Sequence, residues 1–166
     1  MKVGKFVSLQ PKNYLDEKMG YPIGHFNCNL DAKGRISFPS ELKEQFGDQV
    51  NEGFVLHPNP YVTCLELYTL KDWRELVTRL SEKLSQFKKK QEAVMRRYDS
   101  GSRFVKLDSN GRLLIPKDLI DKGQLEKEIV ITPVMKKLEI WNRNLYKQSI
   151  ENDLSDEEYY EVLENL

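Results

Sequence analysis

The sequence predicts a mixed α/β fold built from two internal repeats of short strands and joined by amphipathic helices. Three observations carry this. The phrase LDAKGRISFP at Leu30 returns as LDSNGRLLIP at Leu107, 77 positions later. The flanking segments return with it, which a chance match of a turn tripeptide would not produce. Between the copies, apolar residues recur at three- and four-residue steps, the spacing of a helix with one apolar face.

Aligned on Arg35 and Arg112, HFNCNLDAKGRISFPSELKEQFG runs against SRFVKLDSNGRLLIPKDLIDKG, with Leu42 opposite Leu119. Further on, FVL at Phe54–Leu56 matches IVI at Ile129–Ile131, and CLELY at Cys64–Tyr68 matches KLEIW at Lys137–Trp141. Each repeat therefore reads strand, Asp-Gly turn, strand, short helix, strand, turn, strand. After Arg35, Ile36 and Phe38 alternate with Ser37. After Arg112, Leu113 and Ile115 alternate with Leu114. This is the period-two pattern of a half-buried strand.

Gly34 and Gly111 sit where the chain must reverse with positive φ. Asp31 and Asp108 are placed to accept hydrogen bonds from backbone N–H groups two or three residues on. Pro39 and Pro116 end the ladder and pre-set a first helical turn, with Ser40 a candidate cap. Gly47 and Gly123 are expected to close the two short helices.

The linking segment TLKDWRELVTRLSEKLSQF carries Leu70, Trp73, Leu76, Val77, Leu80, Leu84 and Phe87 on one helical face, expected to pack as core against the sheet. A second, basic helix is expected over Lys88 to Tyr98. The chain thus divides into an N-terminal extension at 1–20, a first repeat at 21–69, linking helices at 70–100, a second repeat at 101–147 and an acidic segment at 148–166. Nothing periodic organises the extension, which is expected to be disordered. The acidic segment reads as a loosely docked helix or a tail.

Composition sets the class. The 39% apolar and 31% charged residues suit a globular protein of one domain or two small related halves. No run approaches the ~18 apolar residues of a membrane span. The N-terminus lacks the continuous apolar core of a signal peptide, so the cytoplasm is the expected compartment. Two cysteines, Cys28 and Cys64, give no disulfide framework. Net charge is zero but segregated: Lys83 to Lys106 holds eight Lys or Arg against two acids, whereas Glu151 to Leu166 holds seven acids and no base. A zero sum can conceal a basic face that steers a polyanion.

The inventory argues against an enzyme. There are two histidines, no nucleophile elbow, no phosphate-binding loop, no Gly-x-Gly-x-x-Gly and no His-Glu-x-x-His. His25, Cys28, His57 and Cys64 are the candidate metal ligands. However, His25 and Cys28 are an odd number apart in one expected strand, and His57-x6-Cys64 lacks zinc-knuckle spacing. The reading is no metal, no cofactor and no small-molecule substrate.

The repeated arginines admit two readings. Asp31 with Arg35, and Asp108 with Arg112, could simply brace the hairpins as local ion pairs, worth about 1 kcal/mol at most on an exposed turn. Alternatively, each Asp orients a guanidinium at a hairpin rim, from which it reaches guanine edges or phosphates. Lys33 adds a second cation to the first turn. Asn110 takes its place in the second and brings no charge, so the first turn reads as the stronger DNA contact. Lys88, Lys89, Lys90, Arg96 and Arg97 are either the solvated face of a helix, phosphate contacts, or, for the two arginines, subunit salt bridges.

These residues resemble the MraZ family of bacterial regulators associated with the division and cell-wall gene cluster. The likeness rests on Gly24, Leu30 to Arg35, the Pro39 helix start, the linking helix, Arg96-Arg97, and the second motif from Leu107 to Pro116, and covers about Ile23 to Ile150. It implies an AbrB-like barrel of two swapped-hairpin units in one chain, assembled into a closed homo-oligomeric ring. It also implies binding of double-stranded promoter DNA at short, repeated, G-rich sites of the protein's own operon, hence a cytoplasmic, nucleoid-associated protein. Lys33, Arg35, Asn110 and Arg112 would contact DNA, with Asp31, Gly34, Asp108 and Gly111 organising the turns. About 20 residues precede Gly24, more than such proteins usually carry. A reading from another class is a ring-forming protein-interaction module in which the Arg turns are structural.

Overall fold

The structure, a computed structural model, describes residues 21–166; the expectation of disorder for 1–20 lies outside the described residues. The elements in chain order are β1 (Phe26–Asn29), β2 (Arg35–Ser37), α1 (Ser40–Phe46), α2 (Gln49–Glu52), β3 (Phe54–Pro58), β4 (Leu65–Thr69), α3 (Leu70–Lys83) and α4 (Lys89–Asp99). The second half repeats most of them: β5 (Arg103–Val105), β6 (Arg112–Leu114), α5 (Lys117–Lys122), β7 (Glu128–Val134), β8 (Lys137–Asn142), α6 (Arg143–Asn152) and α7 (Asp156–Glu164).

The two repeats interlock. One sheet has the order β1-β7-β8-β4-β3-β5, and a second pairs β2 with β6. Strand β1 of the first repeat therefore joins the β7–β8 hairpin of the second, and β5 joins the β3–β4 hairpin of the first. Each opening hairpin is exchanged into the other repeat, giving the swapped-hairpin architecture. The registers agree with the sequence alignment: Phe54 opposes Thr69 as Ile129 opposes Asn142. The central β4–β8 pair sets Glu66 opposite Glu139, matched positions of the two repeats. A pseudo-twofold axis thus passes between them.

The alternation of each strand decides what is buried. Ile36 and Leu113, facing inward from the β2–β6 ribbon, are fully buried with Phe54, Leu56, Leu65, Leu67, Ile129, Ile131, Leu138 and Ile140 from one face of the large sheet. Leu42 and Leu119 seal this core from α1 and α5. By period two, His57, Glu66 and Tyr68 point to the opposite face. There Trp73 of α3 and Tyr98 of α4 stack near His57, with His57–Tyr98 centroids 4.5 Å apart.

Four expectations are corrected. The apolar stripe of α3 does not become core against the sheet: no residue of α3 is fully buried, and Phe87, beyond the helix end at Lys83, is 90% exposed. Trp73, in the first turn, packs on His57 and Tyr68 of the sheet. Trp73 and Val77 also line a shallow groove with Met95 of α4. Ser40 is not a cap, since Pro39 holds the N-cap position and no side chain caps α1. His25 lies outside β1, which starts at Phe26, so its facing does not follow from strand alternation; its ring lies 5.4 Å from Tyr146.

Gly123 does not play the part of Gly47. Gly47 has φ +56°, but Gly123 stays helical at φ −82°, and the left-handed residue is Gln124 at φ +47°. Gln124 N–H donates to Asp121 O and Leu125 N–H to Ile120 O, the paired bonds of a Schellman close with Gln124 at its centre. Gly123 is instead closely packed: a Cβ there would lie 3.1 Å from Leu65 Cγ, a tight contact.

The C-terminal segment is helical. Asn142 caps α6 as Thr69 caps α3, the same position in each repeat, so α6 continues across residue 147, where the sequence reading ends the second repeat. Ser155 and Glu158 form a reciprocal capping box on α7, whose residues are all exposed.

Candidate nucleic-acid interface

Both Asp-Gly turns fold alike. Asp31 N–H donates to Arg35 O at 2.9 Å and Gly34 N–H to Asp31 O at 3.0 Å; in the second turn, the equivalent bonds of Asp108 and Gly111 are 2.8 and 2.9 Å. The reversal requires φ of +79° at Gly34 and +71° at Gly111. Asp31 Oδ1 accepts from the backbone N–H of Lys33 and of Arg35, both at 2.9 Å, and Asp108 Oδ1 accepts from Asn110 at 2.8 Å and Arg112 at 2.9 Å. The donors are thus two and four residues on, because the turn tightens enough to bring the arginine amide back to the same oxygen.

The second carboxylate oxygen holds the arginine. Asp31 Oδ2 accepts from Arg35 Nε at 2.8 Å, and Asp108 Oδ2 accepts from Arg112 Nε at 2.9 Å. The backbone bond from Arg35, then its side chain and the Lys33 amide, keep the Asp31 carboxyl below the usual carboxylate range. Asp108 is lowered in the same way, with the Arg112 backbone bond foremost. Each Asp engages the guanidinium through Nε. Among the described residues, neither pair of Nη groups has an acceptor.

The β2–β6 ladder brings these turns together. Arg35 opposes Leu114, Ile36 opposes Leu113, and Ser37 opposes Arg112. With Ile36 and Leu113 inward, Arg35, Ser37, Arg112 and Leu114 all stand on the outer face. The two arginines lie diagonally across one short ribbon, on the order of 7 Å apart along the strands. Between them are Ser37 and Leu114, the latter 55% exposed. Lys33 and Asn110 are exposed at the tips of the turns. The ribbon thus gathers Lys33, Arg35, Asn110 and Arg112 on one surface.

The other basic candidates lie elsewhere. Lys88 is the N-cap of α4, which carries Lys89, Arg96 and Arg97 and is anchored through Tyr98 to the face of the large sheet opposite the ribbon. Arg96 also pairs with Glu92 at 3.2 Å. The structure does not bring these cations to the Arg turns.

The candidate metal ligands have other partners. Tyr98 O accepts from His57 Nε2 at 2.8 Å, and Nδ1 of His57 lies 3.4 Å from Glu66. Burial, reinforced by Glu139 and Glu66, pushes the Cys64 thiol far up. Burial also raises the Cys28 thiol. Among the described residues, no group of three His, Cys, Asp or Glu side chains could hold a metal ion. No helix among them is long and apolar enough to cross a membrane.

Two features escape sequence reasoning. One is the buried cluster on the pseudo-axis, where Glu66 accepts from Asn59 and Tyr68 at 3.0 Å each and pairs with Lys137. Burial would lower the Lys137 ammonium, but Glu66 and Glu139 outweigh it and raise it. The other is Lys43, whose ammonium lies over Gly111 of the second turn. Neither contact is local in sequence; both depend on how the repeats interlock.

The family model described as "MraZ protein, putative antitoxin-like" matches residues 23–97 and 100–164. The chain is 42% identical over 134 residues to the transcriptional regulator MraZ of Christiangramia forsetii, covering 81% of this chain and 86% of that one. Its identity to the protein of the same name from Flavobacterium psychrophilum is 39%, covering 81% and 85%. For that from Alkaliphilus metalliredigens the identity is 34%, covering 84% and 92%. With two matched segments that together span nearly all the described residues and relatives aligned over most of their own length, the chain belongs to the MraZ family.

Proposed function

We propose that this protein is a sequence-specific DNA-binding transcription regulator of the division and cell-wall gene cluster, without enzymatic activity. The observation that carries the reading is the pair of guanidinium groups fixed by Asp31 and Asp108 on one ribbon, each with its Nη donors free among the described residues. A guanidinium held in this way has already given up much of its rotamer freedom, and its fork matches guanine O6/N7 or a phosphate.

In this reading Arg35 and Arg112 contact short repeated promoter sites, and subunits assembled in a homo-oligomeric ring engage several repeats at once. A few cations per subunit give little affinity alone. Linked subunits raise it through effective concentration, and head-to-tail contacts about a rotation axis close the ring.

The test is binding of purified protein to its own upstream duplex, compared with a scrambled duplex. Arg35→Ala removes a contact worth about 1–3 kcal/mol per subunit, which multiplied over a ring should abolish the promoter shift while leaving helix content and oligomer size unchanged. Unchanged binding would refute the site. Equal, weak binding of both duplexes would favour the protein-interaction module.

A further inference from the structure

We propose that Lys43 supplies the second Arg turn with the cation that its own sequence lacks, so that both turns present an arginine and a lysine to DNA. The inference rests on the DNA-binding reading and goes beyond it by giving the two turns equal weight.

The argument starts from the swap. Because the opening hairpins are exchanged, the helix of each repeat reaches the turn of the other. Ile120 of α5 lies over Gly34, where an added Cβ would be 3.0 Å from Ile120 Cδ1 and 3.0 Å from Ile115 O. The matching position on α1 is Lys43, 77 residues earlier. It lies over Gly111, where an added Cβ would be 3.2 Å from Lys43 Cε and would collide with the ammonium. The backbone bonds repeat the relation: Ile115 N–H donates to Gly34 O at 2.8 Å, and Phe38 N–H donates to Gly111 O at 3.0 Å.

The substitutions between repeats are therefore complementary. Where the first turn has Lys33 at its tip and an isoleucine over its glycine, the second has Asn110 at its tip and a lysine over its glycine. Each turn carries one ammonium in addition to its arginine, in cis at the first and from the other repeat at the second. Among the described residues, neither Lys33 nor Lys43 has a carboxylate partner. Lys43 brings its Cε and ammonium to the glycine of the turn, while the rest of the side chain runs back to α1. The residue as a whole is half-buried, which orders that charge and favours contact with a fixed phosphate.

The test uses the full chain, fluorescence anisotropy on its own upstream duplex, and a salt titration. Each lost phosphate contact lowers the slope of log affinity against log salt by about one per contacting subunit. Lys43→Met should reduce the slope as much as Lys33→Met does, with melting temperature and oligomer size kept. Lys43→Arg should retain the slope, and Asn110→Lys added to Lys43→Met should restore it. An unchanged slope in Lys43→Met, with Arg35→Ala still abolishing binding, overturns the proposal and leaves the DNA reading intact. So does a Lys43→Met loss that tracks a fall in melting temperature and is not rescued by Asn110→Lys. If the unsubstituted protein does not prefer its own duplex, the DNA reading itself fails.

Discussion

The central β4–β8 pair offers the sharpest test of how the interlocked repeats are held. Glu66 and Glu139 face each other there, 2% and 9% exposed, and like charges directly opposed on a sheet repel. Lys137 joins them, pairing with Glu66 and lying 3.5 Å from Glu139. Burial would raise the Glu66 carboxyl, but the nearby His57 ring and hydrogen bonds from Lys137 and Tyr68 outweigh it and hold it below the ordinary range. Lys137→Met removes the cation and leaves two buried carboxylates opposed. Removing one member of a buried pair costs about 3–5 kcal/mol. Because the Lys137 side chain keeps 21% exposure, the lower end, about 3 kcal/mol, applies, and should lower the melting temperature by roughly 6–12 °C.

The pH dependence separates this account from a simple packing loss. In the unaltered protein the Glu66 carboxyl is lowered, so its contribution is complete above the unfolded value and is lost only as pH falls through the folded one. Melting temperature should therefore hold between pH 7.5 and 5 as far as this group is concerned. In Lys137→Met, one of the two carboxylates takes a raised value, and its penalty is relieved as pH falls toward 5. The deficit against the unaltered protein, followed by circular dichroism, should shrink at pH 5, and Glu66→Gln should recover most of it at pH 7.5. A deficit equal at both pH values, or absent at pH 7.5, would refute the reasoning.

Backbone conformation gives two further predictions. Gln124→Gly places the favoured residue at the left-handed Schellman position and should stabilise by up to about 1 kcal/mol, read as a shifted urea midpoint with an unchanged slope. Gly34→Ala meets both a φ of +79° and the Ile115 carbonyl 3.0 Å away, so it should cost about 2 kcal/mol or more in the same assay and weaken DNA binding by displacing Arg35.

Much of the fold was legible because the repeat carries its own punctuation. Asp, Gly, Arg and Pro at fixed offsets mark turn, reversal, strand start and helix start, and the alternation through Ile36 and Leu113 assigns the inward face without reference to any partner. The Arg turns were legible for the same reason, since Asp31 and Arg35 interact within five residues. The apolar stripe from Trp73 to Phe87 was misread because helical periodicity reports an apolar face and not what covers it; here α4 covers part of it. Gln124 was missed because a single glycine one position early offered a plausible helix close. Sequence alone does not reveal that Gly123 packs closely on Leu65, a residue 58 positions away.

What remained hidden shares one cause. Lys43 over Gly111, and Lys137 between Glu66 and Glu139, are contacts between the repeats, and they involve positions at which the repeats differ. The counterpart of Lys43 is Ile120, and that of Lys137 is Cys64. A symmetric pair of identical halves would place two lysines or none at the Glu66–Glu139 axis: two add a second buried cation, and none leaves the carboxylates opposed. Joining the halves in one chain permits a single lysine there. On the proposal above, the same freedom lets Lys43 supply the charge that Asn110 does not carry. The repeats therefore differ at the contacts between them, and copying a residue from one repeat into the other changes the charge there: Cys64→Lys sets a second cation beside Glu66 and Glu139, and Ile120→Lys adds one over Gly34 of the first turn.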